Sequence, residues 1–559
     1  MEPVRPLVPA PLVRGGSAAV VAPHHLATAA GLAILRAGGH AVDAAIATNA
    51  VLGVVKGSAC GIGGDAFWLI WDEPNAREVA LNGSGRAGAL ADAGALRARG
   101  LTRLPLRGPL TINVPGAVRS WGDAHARFGR LPVADVLAPA IELARGGFPA
   151  DGHWVDAVEA SGADFETELG AAASGWAATY RPNGRPWRPG ERVRLPALGA
   201  TLERLAAAGF DDFYDGDLAR RQATALGAAG SFVRADDLSA HRSTWGEPLT
   251  LDYRGTTATT HPPNSSGVVG LQVLNILRAC EAPEASTFQP ADGGASAGAD
   301  LRWVHLGIEA VKLALADRDR WLTDPAFAVV PVEHLLDAAY GTQLAASIDP
   351  ARTSRPPASL APRGGGTIWL GVVDPEGNAV SLIESNYAGF GSGIVDPATG
   401  IAYHNRGSYF SLDAAHANVL APGKRTLHTL LPGMLFRDGR PWVVHGSMGG
   451  DAQPAIFAQV VSALVDGGVD VATAVSSPRW HPEPPEHFAP PELVVIEPRF
   501  RAGLLDGLRA VGHRLAETPA FDSGLGHAHA IELVDGGPAR GGTLAAATDP
   551  RSAGLPAAW

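Results

Sequence analysis

A threonine hydroxyl is a poor nucleophile until a base takes its proton. Thr367 follows three glycines in "RGGGTIWLGVVDPEGNAVSLIESNY". If the chain is cut before it, its own α-amine becomes that base. A free α-amine has a pKa of about 7.7–8.0, so near neutral pH it is substantially unprotonated. The glycines fit the same chemistry, because rearranging a peptide bond onto a hydroxyl needs backbone free of side chains. A second pair, Gly449-Gly450 in "GSMGGDAQP", precedes an apolar helical pattern. Side-chain-free amides at a helix start suit the anion of a tetrahedral intermediate. Each feature alone has a plain alternative, a loop before a strand or a turn before a helix. No HExxH or CxxC array offers another chemistry, and most of the 18 histidines are expected to be surface or satisfied structural groups.

The elements that must aim these groups are legible in outline. Residues 367–373 are β-prone, 374–378 carry turn chemistry, and 379–383 return as a second strand. Residues 24–55 read as two helices separated by a Gly38-Gly39 stop signal. In "GIGGDAFWLIWD" the run 67–71 predicts a strand buried on both faces. The glycines precede that strand, whereas a nucleotide loop follows one, so close backbone packing is the better reading. Residues 132–149 and 197–227 predict amphipathic helices, and 301–322 a long one. Segments 281–300 and 349–366 read as irregular, and the second is a good place for a chain to be cut. A short strand is predicted at 441–445. Pro454 in a first helical turn follows, then strands at 493–497 and 528–534 flanking a helix at 502–511. Helices alternating irregularly with strand pairs predict an α/β or α+β layered domain.

With 559 residues, 46% apolar and 18% charged, the composition fits a well-buried globular protein rather than a disordered one. The net charge of −11 and the lack of a basic stripe argue against a nucleic-acid partner. A small anionic ligand stays open, because a pocket can oppose the global charge. Two cysteines, Cys60 and Cys280, make no disulfide framework or metal spacing and suit a reducing compartment. The proline-rich start is no signal peptide and no run of 18 apolar residues occurs, so a cytoplasmic protein without a membrane span is expected.

Several long stretches carry a resemblance. "AGLAILRAGGHAVDAAIATNAVLGVV", "GIGGDAFWLI", "VPGAVRSW", "HLGIEAVKLALADRDRWLTDP", "LAPGKRTLHTLLPGM", "GSMGGDAQP" and "TDPR" resemble, in order, the signatures of the γ-glutamyltranspeptidase family of N-terminal-nucleophile (Ntn) hydrolases. The resemblance implies an α+β fold, the αββα Ntn-hydrolase sandwich, and a precursor that cuts itself between Gly366 and Thr367. Fragments 1–366 and 367–559 would stay intertwined as one unit. It implies Thr367 as nucleophile, Ser385 as the hydroxyl that hydrogen-bonds it, Gly449 and Gly450 as the oxyanion pair, and no metal or organic cofactor. A homodimer is left open.

The departures matter as much. Where γ-glutamyl enzymes hold the substrate's ammonium with Asn, Gln or Glu, and Asp, this chain has Tyr387, Arg406 and Tyr409. Arg406 would repel an ammonium, and such a repulsive element sets specificity. The family's Ser-Ser pair becomes His428-Thr429. Its clamp arginine aligns with Ser84, with Arg86 two residues on as a substitute. The loop between Phe410 and Lys424 is too short for a lid. The pocket therefore reads as keeping anion recognition and losing amine recognition. The "HNRGSYFSLD" pattern resembles the oxamate amidohydrolase branch. Alternatives are a glutathione hydrolase or γ-glutamyltransferase, a glutaryl-type acylase, and an uncleaved scaffold without activity. For Arg406 alone the competing reading is a structural ion pair outside the pocket.

Overall fold

Strict alternation along two strands builds the centre of the molecule. In Asp65–Asp72, Phe67, Leu69 and Trp71 point one way and Ala66, Trp68 and Ile70 the other. In Gly366–Val373, Trp369 and Val373 oppose Ile368, Leu370 and Val372. Both faces are apolar because both are covered. The computed structural model, which describes residues 10–288, 300–354, 366–483 and 493–559, places these strands in one of two seven-stranded antiparallel sheets. That sheet runs Ala557–Ala558, Ala19–Val21, Gly366–Val373, Ala379–Tyr387, Asp65–Asp72, Arg77–Gly83, Thr244–Gly246. The other runs Val13–Gly15, Thr543–Ala547, His527–Val534, Arg440–Met448, Pro432–Arg437, Thr256–Thr260, Leu249–Tyr253.

Trp369, Leu430, Met434, Val444 and Ile531 fill the space between the sheets. The Trp369 indole lies where a side chain at residue 446 would stand: a Cβ on Gly446 would come within 2.3 Å of its Nε1, so glycine is required there. Helices cover both outer faces. His25–Arg36 and Ala41–Val55 pack on the first sheet, Val133–Gly146 packs on Ala41–Val55, and Pro196–Ala208 packs on Val133–Gly146. Gly267–Arg278 and Gln453–Val465 pack on the second, with Leu301–Trp321 packed against both of those helices. This is the αββα layering implied by the resemblance. Strands from both sides of the 366/367 boundary contribute to both sheets.

Some boundaries differ from the sequence reading. The helix expected over 197–227 is broken after Ala208, where Gly209 takes φ +85°, and resumes as Asp212–Asp215 and Asp217–Ala229. The helix expected to reach 149 stops at Gly146, and Phe148–Pro149 pairs instead with Arg192–Val193. The strand read as 441–445 extends over Arg440–Met448, pairing Gly446, Ser447 and Met448 with His529, Ala528 and His527. Glycine and serine conceal that extension from propensity. Leu493–Ile496 belongs to a separate three-stranded sheet, not to the sandwich. Most of the glycine-rich linker, residues 355–365, and part of the 281–300 loop, residues 289–299, lie outside the described residues. Cys60 and Cys280 are free thiols. Among the described residues no helix is long and apolar enough to cross a membrane.

Candidate active site

Thr367 is the second residue of its strand and is buried. The register with the return strand slips here: Gly366 pairs with Tyr387 and Ile368 with Glu384. Two residues, Ser385 and Asn386, thus oppose Thr367 alone, and the bulge re-aims their side chains. Tyr387 closes the bulge at φ +75°. A bulky residue seldom adopts that conformation, and such strain gathers at functional sites.

The bulge brings Ser385 Oγ to 3.0 Å from Thr367 Oγ1 and 2.7 Å from the Gly366 carbonyl oxygen. The Tyr387 amide donates to the same hydroxyl at 2.7 Å. A hydroxyl has one proton to give. Ser385 gives its proton to Gly366, so Thr367 donates to Ser385 and keeps its lone pairs free. The carbonyl polarised by Ser385 belongs to the bond that precedes Thr367.

Arg406 stands behind this pair. Its Nη1 donates to Thr429 Oγ1 at 3.0 Å, and its Nη2 lies 3.4 Å from Ser385 Oγ. It is 1% exposed, and its Nε has no partner. Its Cζ sits 4.4 Å from the Tyr387 ring centre and 5.5 Å from that of Tyr409. Burial pushes the guanidinium below the usual arginine range, with Tyr409, Tyr387 and Asp65 opposing that push. No carboxylate lies within 4.0 Å of it among the described residues, which excludes there the structural ion pair considered from sequence. Burying an ion costs several kcal/mol, and a stacked aromatic returns only about 0.5–2 kcal/mol. The guanidinium has no counter-ion within 4.0 Å among the described residues.

His428 faces Asp65 instead, with its Nε2 3.2 Å from Oδ2. Burial, helped by Arg406, pushes His428 down to about 3, so it is neutral. Burial opposes the Asp65 charge, but His404, His428 and the Gly85 amide outweigh it and hold the carboxyl below its usual range. The Tyr409 hydroxyl donates to Asp451 Oδ2 at 2.7 Å, and Arg318 donates to Oδ1. Asp451 follows Gly449 and Gly450, so this chain of bonds ties the glycine turn to the Tyr409 ring beside Arg406. Gly449 has φ +152° and Gly450 φ +56°. Neither amide has a backbone acceptor among the described residues. A short 3-10 turn, Gly450–Ala452, intervenes before the helix Gln453–Val465.

Arg86 is placed elsewhere. Its Nη1 pairs with Asp324 at 3.1 Å and also donates to the Gly423 carbonyl. The strand Arg77–Gly83 ends before it, so the two-residue offset from Ser84 does not return it to the pocket. The loop after Phe410 packs Leu412 and Leu420 against Ala87, Leu96 and Leu104, and no residue from it lines the cavity described next.

A cavity of about 440 Å³ opens beside Gly366 and is lined also by Lys56, Arg107, Ala388, Met448 and His527. Tyr387, Arg406, Tyr409 and Thr429 do not line it. The cavity therefore reaches Gly366 but not the residues packed around Arg406. Sequence reasoning missed Lys56, Arg107, Asp65 and Asp451. Asp451 sits inside the "GGDAQP" stretch and was the one within reach. Lys56 and Arg107 carry no spacing signal.

The chain matches the gamma-glutamyltranspeptidase family over residues 27–559. It is 40% identical over 552 residues to the oxamate amidohydrolase proenzyme of Klebsiella pneumoniae, covering 96% of this chain and 98% of that one. It is 38% identical over 545 residues to the glutathione hydrolase-like YwrD proenzyme of Bacillus subtilis, covering 97% and 98%. Its fold superposes on the cephalosporin acylase from Bacillus halodurans with a TM-score of 0.89 at 35% identity, covering 100% and 99%.

Proposed function

This chain belongs to the gamma-glutamyltranspeptidase family and is a hydrolase of amide bonds, and from that premise we propose that it is a self-cleaving threonine amidohydrolase acting on a short amide whose acyl part carries a carboxylate, with oxamate as the preferred case. Thr367 Oγ1 first attacks the Gly366 carbonyl carbon. The C–O bond forms, the C–N bond breaks, and the new α-amine takes the proton. Water then hydrolyses the ester, leaving fragments 1–366 and 367–559. In the mature enzyme that amine deprotonates the hydroxyl for attack on substrate. Ser385 holds the nucleophile, and the Gly449 and Gly450 amides receive the oxyanion.

One observation carries the substrate reading: a buried, carboxylate-free Arg406, 3.4 Å from the hydroxyl that touches Thr367. The substrate carboxylate supplies the missing anion. The short span favours an acyl group in which carboxylate and amide carbonyl are adjacent, as in oxamate, which would yield oxalate and ammonia. A γ-glutamyl substrate would bring an ammonium against a cation. Tyr387 and Tyr409 line the pocket, and Thr429 steadies Arg406, with His428 beside it. The likeness to a cephalosporin acylase keeps a glutaryl-type acyl group as the second reading.

The test is a substrate profile of the processed enzyme. Oxamate should exceed a glutaryl amide and a γ-glutamyl anilide in kcat/KM. Comparable turnover of the anilide would overturn the acyl assignment. Thr367→Ala should remain a single 57.5 kDa chain with no activity. Two fragments from that variant would remove Thr367 from the role.

A further inference from the structure

Among the described residues, one set of three metal-ligating side chains lies outside the candidate active site. Donor atoms of His305, Glu309 and His513 all fall within 4.8 Å of one another, and all three residues are buried. His305 and Glu309 are four residues apart on the helix Leu301–Trp321, so they share one face. His513 comes from a distant part of the chain. Gly512, at φ +100°, turns the backbone after the helix Leu504–Ala510, and the His513 amide donates back to the Leu508 carbonyl at 3.0 Å.

The hydrogen bonds fix which atoms are available. His305 Nε2 lies 2.8 Å from the Asp349 carbonyl oxygen, which only accepts, so Nε2 carries the hydrogen and Nδ1 is a bare lone pair. His513 Nε2 lies 2.8 Å from that Nδ1 and must donate to it. Glu309 Oε1 stands 4.0 Å from the same His513 nitrogen. Three donor atoms thus converge on a single hydrogen. Their outer partners are of the kind that hold metal ligands in place: a carbonyl orients His305, while Thr353 Oγ1 donates to Glu309 Oε1 at 2.8 Å and the Ser354 amide to Oε2 at 3.1 Å. Two imidazoles and one carboxylate suit Zn²⁺, Co²⁺ or Ni²⁺. To hold such an ion at about 2.0–2.2 Å, the two nitrogens part by about 0.5 Å and the carboxylate swings in by about as much. One group opposes it. The Lys312 ammonium donates to Glu309 Oε1 and to Thr353 Oγ1, each at 2.8 Å. Two cations repel at one oxygen, so the ion and Lys312 compete for it.

We propose that His305 Nδ1, His513 Nε2 and Glu309 Oε1 form a site for a divalent transition-metal ion, which displaces Lys312 from Glu309. His513 stays neutral by carrying its hydrogen on Nδ1 instead. His305 and Glu309 precede Gly366 and His513 follows it, so the ion staples the two fragments of the processed protein. The staple rests on the proposed cut before Thr367; the site does not.

The test is a Co²⁺ titration of the full-length protein, followed by visible absorption. One equivalent should develop the d–d bands of a nitrogen- and oxygen-ligated ion, and Zn²⁺ should abolish them. His513→Ala should weaken binding by about a hundredfold or more. Lys312→Met should tighten it by about tenfold, because the competing cation is gone. Thr367→Ala should bind as the wild type does. Zn²⁺ at about 100 times its Kd should raise the unfolding midpoint of the wild type and leave that of His513→Ala unchanged. No stoichiometric Co²⁺ spectrum, or equal affinity in His513→Ala, overturns the site. If His513→Ala does not fold, Lys312→Met decides: unchanged or weaker binding overturns the proposal. In the processed protein, Zn²⁺ should slow parting of the fragments in a fixed, sub-denaturing concentration of urea by about tenfold or more. Equal rates with and without Zn²⁺ overturn the staple. A chain that never cuts itself overturns the cleavage reading, and the Co²⁺ titration still decides the site.

Discussion

Two buried arginines face the same physical problem with different outcomes. Arg551 donates to Glu497 at 2.7 Å, to Asp549 at 3.0 Å and to the Ser477 carbonyl at 2.9 Å. Arg479 meets the other Asp549 oxygen at 2.6 Å. Burial works against Arg551, but Asp549 and Glu497 outweigh it and lift its pKa. Arg406 is as deeply buried, has two tyrosine faces and a threonine hydroxyl, and is pushed down instead. The first cation is neutralised by the chain and holds strands and helices together. The second has no carboxylate partner among the described residues, and under the proposed function a substrate supplies it. Burial alone does not mark a site; burial without a counter-ion does.

Substitution tests that contrast directly. Arg551→Met should cost about 3–5 kcal/mol, because Glu497 and Asp549 lose a buried partner. Arg406→Met should leave stability unchanged or raise it. Thermal scans at one fixed rate separate the two, and an equal loss in both variants would break the contrast. Next in size, Arg406→Met should lower kcat/KM for oxamate by about a hundredfold, about 2.7 kcal/mol of lost anion binding. Oxalate added at about 100 times its Kd should stabilise the wild type by about 2.7 kcal/mol and the Arg406 variant not at all. A shared shift would place the anion elsewhere.

The smallest effect is a pH dependence. His428 is held at about 3 by burial and Arg406, against about 6.5 in an unfolded chain. Below pH 6.5 the unfolded chain binds a proton that the folded one refuses. Stability therefore falls as pH drops from 6.5 towards 3, by on the order of 2 kcal/mol at pH 5 from this residue. Arg406→Met removes part of the push, so its stability should fall less steeply with acid. Unfolding midpoints across pH 5–7 check the slope.

How much of this was legible follows from distance along the chain. The nucleophile strand and its return are one hairpin, and turn chemistry at residues 374–378 announces it. The glycine turn at 449–450 announces itself by composition. Arg406 stood out because its charge is wrong for the ammonium pocket its neighbours resemble. The bulge at Ser385–Asn386 has no propensity signature, since it depends on which residue of the first strand pairs with Tyr387. Arg107 meets the Gly389 and Gly391 carbonyls across some 280 residues, a contact no local pattern encodes. Arg86 pairs with Asp324 instead, because adjacency in sequence is not adjacency in space.

The interleaving of strands from before and after Gly366 has a consequence for the molecule's history. Gly366–Val373 lies hydrogen-bonded between Ala19–Val21 and Ala379–Tyr387. A cut at its edge breaks one covalent bond and none of those pairings. Folding of the intact chain is first order, whereas reassembly of the two cut pieces is second order and fails on dilution. If the chain is cut there as proposed, maturation is a one-way step. The enzyme that emerges persists by how slowly its two pieces part, not by how readily they find each other again.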